Sequence, residues 1–355
     1  MIEKRYKCSS IDTNKIFLMM GFDCNFSCRH CIQNNCSSNK IQKNINTKVI
    51  NYINDLISIR PDSFPKLTLV FWGGEPLLYI DIIKKIINIY NDKLRYSIIT
   101  NGSLLTDELV EYINDNDIYI TLSYDGKNTD KVRNINILED KNILDLFLKI
   151  KNKSICSILS AYNYDIQELF EDIENKIGKD IPISIEPFKI TWDMPKDLYT
   201  FDLTDYQTKL HNLAKKALND ILFTNTSREA MFFYSYLSKL CKKENKKLNC
   251  GQMYNVMNID LDGNVYNCHN CSSIVGTVDE IKLELCKKQD EWVDKNKPLK
   301  CDNCEFKNIC NYGCPNDIII DGERATCKIN KILFKEVFWL ANEIENSFLD
   351  IDLEE

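Results

Sequence analysis

Ile16-Phe17-Leu18-Met19-Met20-Gly21-Phe22-Asp23-Cys24-Asn25-Phe26-Ser27-Cys28-Arg29-His30-Cys31 reads as a short apolar strand running into a loop with three cysteines. Three thiolates so close together can wrap one metal centre. Structural zinc usually takes four ligands in two pairs, which this spacing does not supply. A [4Fe–4S] cube has four irons, so three cysteines leave one iron open to a substrate or cofactor.

Further β-rich runs follow at Leu67–Trp72, Arg95–Thr100, Ile118–Ser123, Ser154–Ser160 and Ile181–Pro187. Helical patterns lie between them. Ile80, Ile83, Ile86, Ile87 and Tyr90 recur at helical spacing. Thr106 before Asp107 and Glu108 reads as an N-cap with acids in the first turn, and the helix is expected to end near Asn116. Strand–helix units in series predict a parallel α/β sheet, curled into a full or partial barrel. In such folds the chemistry sits at the C-terminal ends of the strands.

Polar motifs stand at those ends: Gly73-Gly74-Glu75-Pro76, Thr100-Asn101-Gly102, Ser123-Tyr124-Asp125-Gly126 with Arg133, and Asn163. A carboxylate beside glycine backbone suits an ammonium, and glycines permit close approach. An arginine fork suits a carboxylate. Taken singly, Asn-Gly and Asp-Gly are ordinary turns; in register at successive strand ends they form a pattern.

Beyond Trp192 the alternation stops. Residues 203–222 and 228–243 look helical, Ile259–Tyr266 looks like a hairpin about Asp262-Gly263-Asn264, and Ile329 to about Phe348 looks like an amphipathic helix. From Cys250 onward the chain looks short, loop-rich and cysteine-rich. Cys250 and Cys268 are followed by Cys301-x2-Cys304-x5-Cys310-x3-Cys314 and then Cys327. By themselves, Cys301/Cys304 and Cys310/Cys314 are compatible with a zinc ribbon.

Together these motifs resemble the radical S-adenosylmethionine (SAM) enzymes. C-x3-C-x2-C after a first strand is the signature of that family, with His30 here where an aromatic usually precedes the last cysteine. Gly73–Pro76 resembles the family's GGEP segment, which contacts the methionine amino group of SAM. Thr100, Asn101, Ser123, Asp125 and Arg133 resemble its ribose-contacting positions and its carboxylate-binding arginine, and Asn163 is a further candidate for the same site. The C-terminal cysteines resemble the SPASM domain, which binds two auxiliary [4Fe–4S] clusters. The resemblance implies an α/β fold: a partial (β/α)6 radical SAM barrel over 1–192, a helical connection over 193–249, a cysteine-rich SPASM domain over 250–330, and a C-terminal helix and tail over 331–355.

The resemblance also implies ligands. Cys24, Cys28 and Cys31 would hold the SAM-binding cluster. Cys301, Cys304, Cys310 and Cys327 would hold the outer auxiliary cluster, and Cys250, Cys268 and Cys314 the inner one. Some relatives place a fourth inner ligand between the first two of these. Here no cysteine lies between Cys250 and Cys268, so the inner cluster either has an open iron or uses a thiol such as Cys271. The implied reaction is reductive cleavage of SAM, with hydrogen abstraction by a 5′-deoxyadenosyl radical. The implied substrate is a ribosomally made peptide that receives a thioether or carbon–carbon crosslink. A flavodoxin- or ferredoxin-type electron donor is implied as well. With about 15 residues before the first strand, leader recognition falls to a separate protein or to direct peptide binding. Sulfatase-maturing relatives tend to carry Asp after the cysteine matching Cys268. This chain has His269, a candidate proton acceptor for which an exposed loop position is the plainer account. Sulfatase maturation, small-molecule oxidation, a non-catalytic electron carrier and a zinc module are the competing readings.

Composition bounds these expectations. The chain has 355 residues and 44% apolar content, enough for a large and a smaller core. A net charge of −7 argues against a nucleic-acid partner. The charged N-terminus leads into no signal-like apolar run, and no stretch approaches the ~18 apolar residues of a membrane span. A cytoplasmic protein without a membrane partner is expected. In that setting, 16 cysteines in close groups suit metal ligation better than disulfides.

Overall fold

A computed structural model describes residues 10–35, 44–223, 226–241, 254–270 and 273–351. The first half alternates as expected. Its strands are β1 (Lys15–Met19), β2 (Thr68–Trp72), β3 (Arg95–Thr100), β4 (Tyr119–Ser123), β5 (Lys153–Ile158) and β6 (Ile183–Glu186). The helices between them are α1 (Thr47–Ser58), α2 (Ile80–Tyr90), α3 (Asp107–Asp115), α4 (Thr129–Arg133), α5 (Lys141–Lys149) and α6 (Ile166–Ile177). Next come α7 (Leu203–Leu222) and α8 (Arg228–Cys241). The cysteine-rich segment holds β7 (Val256–Asp260), β8 (Asn264–Tyr266), β9 (Ile274–Thr277), α9 (Lys282–Lys295), α10 (Lys307–Cys310), β10 (Ile319–Ile320) and β11 (Glu323–Arg324). The chain ends in α11 (Cys327–Ile351).

The chain folds into two compact units that do not follow chain order. The first comprises Met1–Tyr124, Arg133–Cys156 and Cys250–Asn296. Its strands run in the order β5-β4-β3-β2-β1-β7-β8-β9. From β5 to β7 they are parallel, and β8 and β9 close the edge antiparallel. Ile16, Leu18, Leu69, Phe71, Ile98, Ile120, Leu122 and Ile155 are fully or almost fully buried, as are Ile53, Ile83, Ile86 and Ile113 from the helices. Each such side chain contributes about 1.5–3 kcal/mol relative to exposure. The residues that alternate with them point to the opposite face, and there the chain places polar Ser97, Thr121, Ser123, Ser154 and Cys156 among Phe17, Val70 and Trp72. Thr106 caps α3 as expected, its hydroxyl accepting the Leu109 N–H at 3.2 Å.

The second unit comprises Asp125–Val132, Ser157–Asn249 and Lys297–Glu355. In it the end of β5 runs beside β6, with the Leu159 N–H donating to the Glu186 carbonyl at 3.0 Å. Its core gathers Phe170, Tyr206, Leu213, Phe233, Phe306 and Phe334, drawn from α6, α7, α8, the cysteine loop and α11. The helical stretch and the C-terminal helix therefore share one core with the loop that carries Cys304 and Cys310.

Two features depart from the reading of 250–330 as short and loop-rich. β7 joins the main sheet parallel to β1, and α9 is a 14-residue helix. Helix α9 escaped the periodicity reading because two positions of its inner face are polar. Lys282 is buried with its ammonium donating to Thr13 Oγ1 (2.6 Å) and the Tyr254 carbonyl (2.7 Å). Gln289 is buried and donates to the Asn267 carbonyl at 2.7 Å. Among the described residues no helix is long and apolar enough to cross a membrane.

Candidate functional site

In the first unit, the loop after β1 lies backbone to backbone against the loop after β2. Met20 N–H donates to the Trp72 carbonyl (2.7 Å), Gly74 N–H to the Gly21 carbonyl (2.9 Å) and Glu75 N–H to the Asp23 carbonyl (2.8 Å). This contact explains the paired glycines. A Cβ on Gly73 would overlap the Gly21 carbonyl oxygen, and a Cβ on Gly74 would overlap that of Asp23. Gly73 also sits at φ +149°, outside the range of most side chains. The glycines thus bring the three-cysteine loop against the end of β2.

Glu75 is buried and organises the end of β3. Its Oε1 accepts from Thr100 Oγ1 (2.7 Å) and Leu77 N–H (3.0 Å), and its Oε2 accepts from Asn101 N–H (2.8 Å). Burial pushes the Glu75 carboxyl up, and these three donors pull it down. All three point at the carboxylate, as an ionised acceptor requires. Asn101 carries the network on to the cysteine loop. Its Nδ2 donates to Asn25 Oδ1 (2.9 Å), and Asn25 Nδ2 donates to Ser103 Oγ (2.8 Å).

Cys24, Cys28 and Cys31 sit together on this loop with their thiols at least partly accessible. Phe26 N–H donates to Cys24 Sγ at 3.4 Å, a contact that favours a thiolate. Loss of solvent nevertheless raises the Cys24 thiol pKa, and the charges of Glu75 and Cys31 add to the rise. A metal that replaces the proton overcomes such a shift. Arg133 is buried at the end of α4. The next residue, Asn134, takes a left-handed φ of 65° and donates from Nδ2 to the carbonyl and hydroxyl of Ser27, at 2.6 and 3.0 Å. That clamp ties the Arg133 segment to the cysteine loop.

His269, which follows Cys268, is held by rings. It stacks on Phe17 (centroids 4.4 Å, 10° between planes) and meets Trp72 edge-on at 5.1 Å. Trp72 Nε1 donates to the His269 carbonyl at 2.9 Å. The expectation of an exposed loop histidine is therefore replaced by a packed one. Asn270 N–H donates to Cys268 Sγ at 3.3 Å, repeating the contact seen at Cys24.

Asn25, Ser103, Ser27 and Asn134 were not anticipated from sequence. The available signal was adjacency: each lies within two residues of a motif residue, and asparagine tolerates the left-handed region that position 134 adopts.

The second unit contains Asp125 and Asn163, both buried. Asp125 Oδ1 accepts the Ile158 N–H at 2.8 Å. The Asn163 amide accepts from Ser160 N–H (2.7 Å) and Ser160 Oγ (3.0 Å), and donates to Ser157 Oγ (3.2 Å) and the Ile158 carbonyl (3.0 Å). These contacts shape the loops after β4 and β5. Ser123 belongs to the first unit, opposite Cys156 in register.

Also in the second unit, Cys301, Cys304 and Cys327 line one cleft of about 280 Å³. Cys310 sits close behind. Burial pushes its thiol up to about 12, and the neighbouring Cys327, Cys301 and Cys304 add to the shift. These four thiols suit a cluster that spans a cavity. Among the described residues no group of three or more His, Cys, Asp or Glu is placed to hold a single metal ion. Cys314 belongs to the second unit and Cys268 to the first. Cys250 and Cys271 lie outside the described residues.

Residues 18–160 match the Radical SAM superfamily. Similar curated proteins include the radical SAM cyclopropyl synthase TigE of Paramaledivibacter caminithermalis, 22% identical over 96% of this chain and 76% of that protein. The cysteine-type anaerobic sulfatase-maturating enzyme of Clostridium novyi is 23% identical over 82% of this chain and 85% of that one. Among solved structures, native anSMEcpe with bound AdoMet and Cp18Cys peptide has a TM-score of 0.70 at 20% identity, covering 94% of this chain and 98% of that one. Streptococcus suis SuiB bound to precursor peptide SuiA has a TM-score of 0.57 at 16% identity, covering 85% and 72%. Residues 18–160 thus carry a Radical SAM domain, and the cysteine loop locked against Gly73–Glu75 and the C-terminal cysteine spacing support placing the chain with the SPASM-type radical SAM enzymes.

Proposed function

We propose that this enzyme modifies a ribosomally synthesised peptide by C–H abstraction, closing a thioether or carbon–carbon crosslink. The observation that carries the catalytic half is the lock between the three-cysteine loop and the Gly73–Glu75 turn. The peptide half is supported by the solved structures of similar fold, since those of anSMEcpe and SuiB contain peptides.

SAM bound beside a [4Fe–4S] cluster would supply the radical chemistry that abstracts hydrogen from an unactivated C–H bond. Cys24, Cys28 and Cys31 would hold that cluster, and Gly73–Pro76 would take the methionine amino group of SAM. Thr100, Asn101 and Ser123 serve the ribose, and Arg133 serves the carboxylate. Asp125 and Asn163 are assigned only by motif position. Cys301, Cys304, Cys310 and Cys327 hold an outer auxiliary cluster. The family resemblance alone would give an inner one to Cys250, Cys268 and Cys314, with Cys271 as a further candidate. Three [4Fe–4S] clusters follow, fed by a flavodoxin- or ferredoxin-type donor. A separate leader-recognition protein is a candidate partner. His269, whose ring stacks on Phe17, is the candidate proton acceptor.

Anaerobic reconstitution with iron counting and a SAM-cleavage assay tests this reading. Wild type is expected to hold about twelve irons and to release 5′-deoxyadenosine. A Cys24→Ala/Cys28→Ala/Cys31→Ala variant is expected to hold about eight and release none. Zinc in place of iron, or no SAM cleavage, refutes it. Incubation with a short peptide encoded beside the gene should give a product lacking a hydrogen pair. His269→Phe keeps the ring stack, so it should keep SAM cleavage and lose the peptide product. Formylglycine formation is the second reading, favoured by the Clostridium novyi relative. Conversion of a sulfatase-derived cysteine peptide, with no crosslinked product, would establish it instead.

A further inference from the structure

We propose that Arg324 is a positioning residue between the auxiliary sites: its guanidinium fixes the 312–317 loop, which carries the inner-cluster candidate Cys314, and its charge raises the reduction potential of the outer cluster beside it. The inference builds on the reading of Cys301, Cys304, Cys310 and Cys327 as ligands. Every group it uses lies within the second unit.

Arg324 is only 4% exposed. It sits on β11 opposite Ile319. Its Nε donates to the Tyr312 carbonyl (3.3 Å), and its Nη1 donates to the Asp317 carbonyl (2.9 Å). Those carbonyls flank Cys314, in a stretch where Asn311 and Tyr312 both hold left-handed φ values of 51° and 67°. Such a backbone needs fixed partners, and the guanidinium fork supplies them. The charge is near the sulfurs too: Glu323, the preceding residue on β11, lines the same cleft as Cys301, Cys304 and Cys327, and Arg324 feels the charges of Cys314, Cys301 and Cys327.

The surrounding cations differ from it. Lys300 and Lys331 approach Glu323 (3.8 and 3.4 Å), and Lys297 and Lys307 approach Asp302 (2.5 and 3.7 Å). Each of these four is partly exposed and therefore screened. Asp317 is the buried counter-charge. Its carboxylate accepts from Thr326 Oγ1 (2.8 Å) and Ile190 N–H (3.1 Å). Reduction adds one electron, and hence one negative charge, to the cluster. A buried cation stabilises that state more than a screened one.

The test uses full-length protein in the Cys24→Ala/Cys28→Ala/Cys31→Ala background, so that only auxiliary clusters load. Arg324→Gln removes the charge, and Arg324→Lys keeps it. Iron is counted, and the midpoints are measured by anaerobic EPR-monitored titration. Arg324→Gln is expected to keep the parent's iron while one midpoint falls by a factor of about ten in the reduction equilibrium, about 59 mV for one electron. Arg324→Lys should stay nearer the parent. An unchanged midpoint in Arg324→Gln overturns the proposal. Loss of iron from both variants also overturns it, since the guanidinium would then serve only to hold the fold. If Arg324→Gln alone loses iron, Arg324→Lys decides, with a displacement of tenfold or more counting against the proposal. A parent that never binds about eight irons refutes the underlying cluster reading instead.

Discussion

Replacing Gly74 by alanine tests the loop lock directly. A methyl group there meets the carbonyl of Asp23 and also approaches that of Phe22. The overlap is on the order of 1 Å against a contact distance of ~3.5 Å, and backbone cannot rotate away as a side chain does. The two loops must part. The Gly74–Gly21 and Glu75–Asp23 hydrogen bonds then stretch. Overpacking costs about 1–3 kcal/mol, and each weakened buried bond about 1 kcal/mol more. The sum is roughly 3–5 kcal/mol, which lowers Tm by roughly 10 °C for a cooperative unit of this size class. Gly178→Ala is the control. Gly178 takes a φ of 116° but has no atom within 4 Å of its built Cβ, so it reports backbone strain without crowding, about 1–2 kcal/mol. The assays are anaerobic thermal unfolding of the apoprotein and iron per chain after reconstitution. Gly74→Ala should hold about eight irons where wild type holds about twelve, because the cysteine loop has moved and the outer cysteines have not. A Gly74→Ala protein that melts within about 2 °C of wild type and loads fully would refute the argument.

Other outcomes follow from single contacts. Asn25→Ala removes the bridge from the cysteine loop to Asn101 and Ser103; iron loading should fall at the first cluster alone, and selective loss from the auxiliary clusters would contradict this. Burial lowers the Lys282 ammonium to about 8, so its contribution to stability is present above its unfolded value and is lost as pH falls through about 8. Between pH 8 and about 10.4 the apoprotein should therefore gain up to about 3 kcal/mol relative to Lys282→Met, and parallel urea curves for the two proteins would count against it. Thr106→Ala should cost about 1 kcal/mol through the lost cap on α3 and leave SAM cleavage unchanged, because the lost bond, to the Leu109 N–H, belongs to the start of the helix. Glu75→Gln presents an amide where the Asn101 N–H needs an acceptor; the clash should cost about 1–3 kcal/mol and impair SAM cleavage, and a variant with wild-type activity would remove Glu75 from the proposed machinery.

Much of the fold was legible because its signals are local. β1 to β5 appear within one residue of the apolar runs at their N-terminal ends, since buried parallel strands are short and almost continuously apolar. Thr106 capped its helix because a hydroxyl at that position needs only the next turn. Helix α9 was hidden because Lys282 and Gln289 occupy inner positions that only distant carbonyls make tolerable. The placing of β7 against β1 was equally out of reach, because parallel partners far apart in sequence leave no mark on the intervening chain.

The site divides the same way. Residue order alone determined the cysteine spacings and the polar motifs at the strand ends, because ligand chemistry depends on residue type and short separations. Only the tertiary structure decided what the glycines are for. Gly73 and Gly74 give way to carbonyls of the loop that carries the cysteines, an approach set by two strands pairing. Only it showed that Glu75 holds Thr100 and Asn101, that His269 is packed between rings, and that a buried arginine stands among the outer thiols. Each of these is a contact between residues remote along the chain, and such contacts exist only once burial has brought their elements together.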